Sequence, residues 1–213
     1  MSIFARRRSP SSMKRFYNRI FRYYSSVEKI LYPVYDAIVE QKIAVIDDIT
    51  RTSALDYACG AGALTLKLAR HFDAVEGRDQ SEAMLDMGRR KAENEGVSVQ
   101  FREGNLLAID EGNETVDWVF IGFALHLFPP ETGIGILKKL LDVSRAGVII
   151  IDHSRKWSMK DAFIEWLEGS YYDKFIKMDF QKAAEQIGAA SFEETEIERA
   201  MVLTFGKNLT IRV

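Results

Sequence analysis

The sequence predicts an α/β fold in which helices cover both faces of a doubly wound, mostly parallel sheet of seven strands. From residue 53 onward, short apolar runs alternate with helical segments, and parallel neighbouring strands need long right-handed crossovers of this kind. Near the C-terminus, two strand-like runs at 191–199 and 201–211 are joined by almost nothing. A connection that short allows only an antiparallel pair, so an antiparallel hairpin is expected to close the sheet.

The elements of the alternating region follow one another in regular order. Parallel strands are predicted at 54–57, 74–76, 97–101, 116–121 and 147–151. Helices are predicted at 62–71, 81–95 and 131–144, with Ser81 as a cap, and a longer helical stretch at 159–187. The runs 118–121 and 148–151 are apolar without alternation, as expected for strands that are buried on both faces.

Residues 1–50 are predicted to form a basic, helical appendage or lid, and residues 51–213 the main domain. Seven basic residues precede the first acid, Glu28: Arg6, Arg7, Arg8, Lys14, Arg15, Arg19 and Arg22. Apolar residues of 13–27 recur at spacings of three and four, which indicates an amphipathic helix. Two roles stay open for this helix: it lies in a membrane interface, or it is a solvated arm that folds over the site. A second helix, at 28–48, is expected to start or kink near Pro33.

The composition is that of an ordinary globular protein, with 47% hydrophobic and 28% charged residues. One cysteine excludes a disulfide framework, and three histidines offer no local ligand spacing, so no metal site is expected. The formal charge of −2 gives no global attraction to nucleic acid. Polar residues follow the arginines where a secretory signal needs an apolar core, and no apolar run approaches the roughly 20 residues that cross a bilayer. A cytoplasmic protein, with possible peripheral membrane contact, is therefore expected.

The most informative segment is LDYACGAGAL at 55–64, where a strand runs into a turn of small residues that opens a helix. Such a turn brings backbone N–H groups and the positive end of a helix dipole up to a ligand. Asp79 ends the next strand, where an acid can accept hydrogen bonds from the two hydroxyls of a ribose. Alternatively, the glycines only allow tight strand-to-helix packing, and Asp79 caps the helix at 81–95.

Two details of this loop separate the nucleoside cofactors that it could bind. A dinucleotide loop has the pattern G-x-G-x-x-G, whereas Thr65 stands here at the place of the third glycine. Asp56 ends the strand immediately before the loop, which is a poor position for an anion beside a pyrophosphate but suits a ligand with an ammonium group. S-adenosylmethionine carries an ammonium together with a carboxylate, a ribose and an adenine. The loop therefore favours this cofactor over a nicotinamide dinucleotide.

Four motifs, in order, resemble those of the class I S-adenosylmethionine-dependent methyltransferases. They are LDYACGAG at 55–62, VEGRDQS at 75–81 with the following Met84-Leu85, GNL at 104–106, and VDWVFIGFALH at 116–126. The resemblance runs from about residue 53 to the C-terminus. It implies a Rossmann-like fold, S-adenosyl-L-methionine as methyl donor and S-adenosyl-L-homocysteine as product.

The resemblance also implies roles for the matched residues: the first motif holds the methionine moiety, the second the ribose, the third the adenine, and the fourth lines the floor under the methyl group. The implied cofactor contacts are Asp56, Ala58, Cys59, Gly60, Gly62, Asp79, Gln80, Met84, Asn105, Leu106, Gly122 and Phe123. The chain departs from the common pattern at Ala58, where many members have glycine, and at Arg78, where an apolar residue is usual. Cys59 is expected to be a small packing residue rather than a nucleophile.

The aromatic N-terminal segment and IDHSR at 151–155 are similar to the ubiquinone/menaquinone C-methyltransferases and the small phospholipid N-methyltransferases. This similarity implies a small-molecule or lipid-like acceptor, and a substrate lid with Tyr17, Tyr24 and Tyr35. The same tyrosines could equally belong to the core. The aromatic residues of 155–187 suggest an apolar or aromatic guest, and the oligomeric state is not predicted.

Methyl transfer from a sulfonium is a one-step displacement that depends on alignment rather than on a nucleophilic residue. A base would assist an acceptor that carries a phenol or an acidic carbon, and His126 and His153 are the candidates. Both follow strands at the carboxyl edge of the sheet, where ligands bind in open α/β folds. Either could also be a structural histidine that bonds a loop carbonyl.

Two other classes of function stay open. A methyltransferase for RNA or protein is less favoured. The amino-directed nucleic-acid methyltransferases have a Pro-Pro-aromatic sequence in their fourth motif, and residues 122–125 of this chain lack it. A nicotinamide-dependent oxidoreductase is disfavoured by the missing third glycine and by Asp56.

Overall fold

The computed structural model describes residues 31–109, 115–156 and 169–207, which contain a seven-stranded sheet flanked by helices. The strands are β1 (Ser53–Tyr57), β2 (Ala74–Asp79), β3 (Gln100–Glu103), β4 (Val116–Gly122), β5 (Ser144–His153), β6 (Ser191–Ile197) and β7 (Ala200–Gly206). Their order is β3-β2-β1-β4-β5-β7-β6, with β1 to β5 parallel and β7 antiparallel to both of its neighbours. The predicted mostly parallel sheet with an antiparallel C-terminal pair is confirmed.

The helices connect these strands as crossovers on both faces. They are α1 (31–38, continuing as a π turn over Val39–Ile43), α2 (Ala63–Leu68), α3 (Glu82–Glu95), α4 (Pro130–Val143), α5 (Tyr172–Phe175) and α6 (Phe180–Ile187). Ser81 caps α3 as predicted, since its side chain accepts a hydrogen bond from the Met84 N–H. Within the described ranges, no helix has the length and apolar character that a bilayer crossing requires.

The core lies on both faces of the sheet because successive strand residues point in opposite directions. On one face, Leu55 and Val119 pack in a cluster that includes residues of α4 and α6. On the other face, Ala54 and Phe120 pack with α1 and α2. Ile38 of α1 is fully buried in this second cluster, so the described end of the N-terminal segment contributes to the domain core.

Several elements differ from their predicted bounds by a few residues, and three of these differences have clear local causes. β2 extends past its predicted end at residue 76 to Asp79, because Gly77 leaves space for the Phe101 ring and Arg78 pairs with Glu76. The sequence did not indicate this extension, since residues 77–79 are not apolar. β3 begins at residue 100, because the backbone around Gly96 folds back to end α3. The stretch predicted as one helix at 159–187 contains α5 and α6 with a break between them, and residues 157–168 lie outside the described ranges, as does the predicted helix at 13–27.

The close approach of β5 and β7 gives the first prediction. A Cβ on Gly147 would overlap the Phe205 carbonyl oxygen and lie 3.0 Å from the Trp118 ring, and neither can move without disturbing the sheet. We expect Gly147→Ala to destabilise the protein by roughly 1–3 kcal/mol. Each kcal/mol corresponds to about 2–4 °C in Tm at this chain length, as measured by calorimetry.

Gly135→Ala is the matched control, because a Cβ on this exposed α4 residue meets nothing within 4 Å. This variant is expected to gain roughly 0.5–1 kcal/mol from helix propensity. Equal melting temperatures for the two variants would show that the contact between β5 and β7 does not exclude a side chain.

Candidate functional site

The loop between β1 and α2 forms the first part of the site. Three of its residues have left-handed backbone conformations: Ala58 (φ 58°), Gly60 (φ 54°) and Gly62 (φ 79°). This conformation is uncommon for a residue with a Cβ such as Ala58, and strained backbone of this kind clusters at ligand-binding sites. The loop is held in place by the Cys59 N–H, which donates to the Arg78 carbonyl of β2 at 3.0 Å.

The Phe101 ring explains part of the glycine pattern. A Cβ on Gly62, Gly77 or Gly88 would lie within 2.7–2.9 Å of this ring, so the loop, β2 and α3 can meet only where side chains are missing. The packing alternative considered for the glycines therefore accounts for Gly62. Gly77, Gly88 and Phe101 were not identified from the sequence, because nothing in their spacing shows that they meet.

Asp79 connects the loop to the end of β2. One carboxylate oxygen accepts a hydrogen bond from the Gly60 N–H at 3.0 Å, and the other accepts from the Ser81 N–H at 2.8 Å. Because Ser81 provides the side-chain cap of α3, Asp79 is not the cap residue. Asp79 thus lies at the carboxyl edge of the sheet, beside the glycine loop.

Asp56 is the buried acid of the site. Its side chain is 1% exposed, and its Oδ2 accepts a hydrogen bond from the Thr65 hydroxyl at 2.6 Å. Burial raises the pKa of the Asp56 carboxyl to about 7, against the lowering effect of the Thr65 hydrogen bond, and the nearby charge of Asp79 raises it further. Thr65, which the sequence showed only as a missing glycine, is thus a partner of this acid.

A pocket brings several predicted residues together. It is lined by Leu31, Tyr35, Asp56, Ala58, Cys59, Ala63, Leu64 and Gly122. Tyr35 covers it from α1, and its hydroxyl occupies the space that a side chain on Gly122 would fill. Tyr17 and Tyr24, the other two predicted lid residues, lie outside the described ranges.

Cys59 lies in this pocket wall but is not prepared for nucleophilic chemistry. Burial raises the pKa of its thiol well above the ordinary value, and the nearby charges of Asp56 and Asp79 raise it further. The thiol therefore stays protonated near neutral pH, and a protonated thiol is a poor nucleophile.

The third motif lies beside the end of β2, where the Gly104 N–H donates to the Asp79 carbonyl at 3.0 Å. The Asn105 side-chain oxygen accepts from the Leu107 N–H at 3.0 Å, which caps a short turn at Leu106–Ala108. The family resemblance implies that this oxygen meets an adenine. In the structure one of its lone pairs serves the local turn, and the other is left for a ligand. Leu106 and Met84 are buried, and Gln80 is half-buried.

A second part of the site lies where β4 and β5 end. Asp152 is 0% exposed, and its Oδ2 accepts hydrogen bonds from the N–H groups of Leu125 (3.1 Å) and His126 (3.2 Å). Its Oδ1 accepts from His126 Nδ1 at 2.6 Å and from the His153 N–H at 2.8 Å. The structure therefore joins both predicted histidines through an acid that the sequence analysis did not single out. The available signal was an acid directly before His153, at the end of a buried strand.

Aromatic rings connect the pocket to these histidines. The ring centroids of Tyr35 and Phe123 are 6.0 Å apart, those of Phe123 and His153 are 5.5 Å apart, and those of His153 and His126 are 4.7 Å apart. Tyr172 of α5 lies 5.2 Å from His153 on another side. Of these rings, only those of Phe123 and His153 are partly exposed, so a flat apolar guest beside the pocket would meet these two.

Comparisons with known proteins agree with this geometry. The family model described as a methyltransferase domain matches residues 54–147. The demethylmenaquinone methyltransferase of Shouchella clausii is 36% identical over 104 residues, which are 47% of this chain and 43% of that protein. The enzyme of the same name from Bacillus subtilis is 33% identical over 98 residues, or 44% and 41% of the two chains. The chain thus spans less than half the length of these curated relatives.

Solved structures share the fold at low sequence identity. An O-methyltransferase family protein from Burkholderia thailandensis has a TM-score of 0.69 at 16% identity, covering 87% of this chain and 58% of its own. The magnesium protoporphyrin IX methyltransferase of Synechocystis, solved with bound S-adenosylhomocysteine, has a TM-score of 0.61 at 18% identity and 83% coverage of both chains. Residues 54–147 thus match a methyltransferase domain, and the chain has the fold of these solved methyltransferases.

Proposed function

We propose that the chain is an S-adenosylmethionine-dependent methyltransferase that acts on a small-molecule or lipid-like acceptor, most favourably a quinone precursor. The observation that carries the proposal is Asp56, a buried carboxyl with a pKa of about 7 in a pocket beside the glycine loop. An ionised carboxylate is costly to bury without a charged partner, and an ammonium group of a ligand is such a partner. The ammonium of S-adenosylmethionine meets this requirement.

The other residues of the site fit the remaining parts of the cofactor. Asp79 lies where it can accept ribose hydroxyls, and Asn105 and Leu106 follow at the adenine end. When bound, S-adenosylmethionine supplies a sulfonium methyl group that an acceptor displaces. The chain's own contribution is to hold the reacting groups in line and to exclude water beneath Tyr35.

The choice of a quinone-type acceptor rests on two supports. The relatives named above act on demethylmenaquinone according to their names, and their similarity covers slightly less than half of this chain. The partly exposed rings of Phe123 and His153 offer aromatic surface beside the pocket, and the buried rings of Tyr35 and Tyr172 pack against them. Peripheral membrane contact through the basic N-terminal segment and a cytoplasmic location stay proposals, because residues 1–30 lie outside the described ranges.

Ligand-induced stabilisation tests the cofactor. At about 100 times its dissociation constant, S-adenosylmethionine or S-adenosylhomocysteine should stabilise the chain by about 2.7 kcal/mol. This corresponds to a rise in Tm of roughly 5–10 °C by thermal shift. NAD should give no rise, because the loop lacks the third glycine of a dinucleotide site. A rise with NAD, and none with the two adenosyl compounds, would favour the oxidoreductase alternative.

The pH dependence of binding tests the role of Asp56. Its raised pKa means that the free protein holds a proton there below about pH 7, whereas an ammonium ligand pairs with the ionised form. Affinity for S-adenosylhomocysteine should therefore rise about tenfold from pH 6 to pH 8, as the site no longer has to release a proton. Isothermal titration calorimetry at several pH values measures this slope.

Asp56→Asn should weaken binding and remove most of this slope, because the amide does not ionise. Asp86→Asn is the matched control, since Asp86 lies on the exposed side of α3 and pairs with Arg89. It should bind with the slope of the parent protein. An unchanged slope in Asp56→Asn would mean that another group takes up the proton.

Production of S-adenosylhomocysteine tests the acceptor. A chemically reduced demethylmenaquinone with a short prenyl chain, phosphatidylethanolamine vesicles and total RNA are offered separately with S-adenosylmethionine. We expect turnover with the reduced quinone alone, because its ring system matches the aromatic surface beside the pocket. Turnover with the vesicles or the RNA alone would replace the quinone-type acceptor by a phospholipid or a nucleic acid.

A further inference from the structure

Asp152, His126 and His153 form a cluster that the proposed cofactor site does not use. The ligand atoms of these three side chains lie within 4.8 Å of one another, which is the composition and spacing of a metal site. The hydrogen bonds of Asp152 indicate a different role. An ionised carboxylate offers about four lone-pair sites. Four donors occupy these sites in Asp152. Two backbone N–H groups donate to Oδ2, and one backbone N–H and one ring nitrogen donate to Oδ1. Asp152 could therefore bind a metal ion only by losing one of these donors.

The contact with Asp152 also fixes the tautomer of His126. A carboxylate oxygen accepts but does not donate, so His126 Nδ1 must carry the hydrogen in this 2.6 Å bond. In neutral His126 the other ring nitrogen, Nε2, is then the basic one. The ring is 2% exposed, however, and therefore is not placed to touch an acceptor.

His153 is the member of the cluster that an acceptor can reach. Its side chain is partly exposed, and its ring packs against Phe123, which in turn packs against Tyr35 of the pocket wall. The backbone N–H of His153 is bound by Asp152, and its ring meets the His126 ring at 4.7 Å. In the described part of the chain, the titratable groups that face it include Asp152 on β5, His126 on the turn after β4, and Tyr172 on α5.

We propose, building on the methyltransferase function proposed above, that His153 accepts the proton of a protic methyl acceptor, with Asp152 and His126 as positioning residues. The acceptor class is then a phenol or an enol, whose oxygen or conjugated carbon becomes nucleophilic when its proton leaves. In the step, the acceptor atom forms a bond to the methyl carbon, and the bond from carbon to sulfur breaks with its electron pair on sulfur. The acceptor's hydroxyl proton goes to a ring nitrogen of His153 and from there to water. Where a conjugated carbon is methylated, the hydrogen of that carbon then leaves and the acceptor's oxygen takes up a proton from water, which restores the hydroxyl.

The positioning role is tested without any acceptor. Long-range proton–nitrogen NMR of protein labelled with ¹⁵N-histidine reports the tautomer of each ring, and the chain has only three histidines. We expect the Nδ1–H tautomer for His126, and a change in the signals of both His126 and His153 in Asp152→Asn. A His126 ring with its hydrogen on Nε2 in the parent protein would overturn the assignment. So would a shift of the His126 and His153 signals on addition of one equivalent of Zn²⁺ or Mn²⁺, which would indicate a metal site.

The catalytic role is tested by kinetics with the reduced short-chain demethylmenaquinone as acceptor. His153→Gln should lower kcat about 100-fold or more, leave KM within about threefold, and remove the acid limb of the pH profile. His126→Asn preserves an N–H that can reach Asp152 but has no basic ring nitrogen. This variant should lower kcat by about tenfold, because His153 would be less well positioned as a base. It should move the acid limb of the pH profile but not remove it, because His153 itself is retained.

His71→Asn is the matched control, because His71 lies at the far end of α2, next to Phe72, and away from the acceptor side. It should have the kinetics of the parent protein. Thermal shift with S-adenosylhomocysteine shows that each variant is folded and binds the cofactor. If His153→Gln keeps the parent kcat and pH profile, the base role is overturned while the methyltransferase function stands. If the parent protein binds S-adenosylhomocysteine but does not turn over the reduced quinone, the proposed acceptor and the base role both fail, and the NMR result still decides the positioning role.

Discussion

The burial of two carboxyl groups at the carboxyl ends of β1 and β5 is the constraint on which the site depends. Asp56 and Asp152 are 1% and 0% exposed, and a buried charge is costly unless hydrogen bonds or an opposite charge compensate for lost water. The fold compensates them to different extents. Asp152 receives four hydrogen bonds, three from the backbone and one from an imidazole, whereas Asp56 is bound by Thr65 among the residues that the structure describes. The acid that the protein compensates fully needs no further partner, and the one with less compensation is the acid to which we assign the cationic ligand in the proposed function.

The arrangement around Asp56 depends in turn on close packing at a distance from any ligand. The Phe101 ring of β3 contacts three backbone segments that lack side chains, and this contact sets the position of the loop against β2. The Gly60 N–H can then reach Asp79, and the Cys59 N–H can reach the Arg78 carbonyl. A larger residue at Gly62, Gly77 or Gly88 would therefore affect the site indirectly, because it would displace the loop from its position against β2.

The sequence predicted those features that lie in one continuous segment. The buried strands at 116–121 and 147–151, the loop at 55–64 and the cap Ser81 are each encoded by neighbouring residues, and the structure has strands β4 and β5, the strained loop and the cap in these places. It did not predict the partnership of Thr65 with Asp56, because the same residue was compared only with a glycine pattern. It also did not predict that Asp152 binds His126, since these residues are 26 positions apart and meet only when β4 and β5 pair.

The strand order determines how the two buried acids cooperate. β4 lies between β1 and β5, so the ends that carry Asp56 and Asp152 are separated by two strand spacings, or about 10 Å. Gly122 and Phe123 occupy this gap at the end of β4, and the missing side chain at Gly122 is what admits the Tyr35 hydroxyl. A cofactor held at the β1 end and an acceptor held at the β5 end would therefore meet over the end of β4. In this arrangement β1 supplies the charge that binds the donor, β5 supplies the group that takes the proton, and neither acid has to serve both purposes.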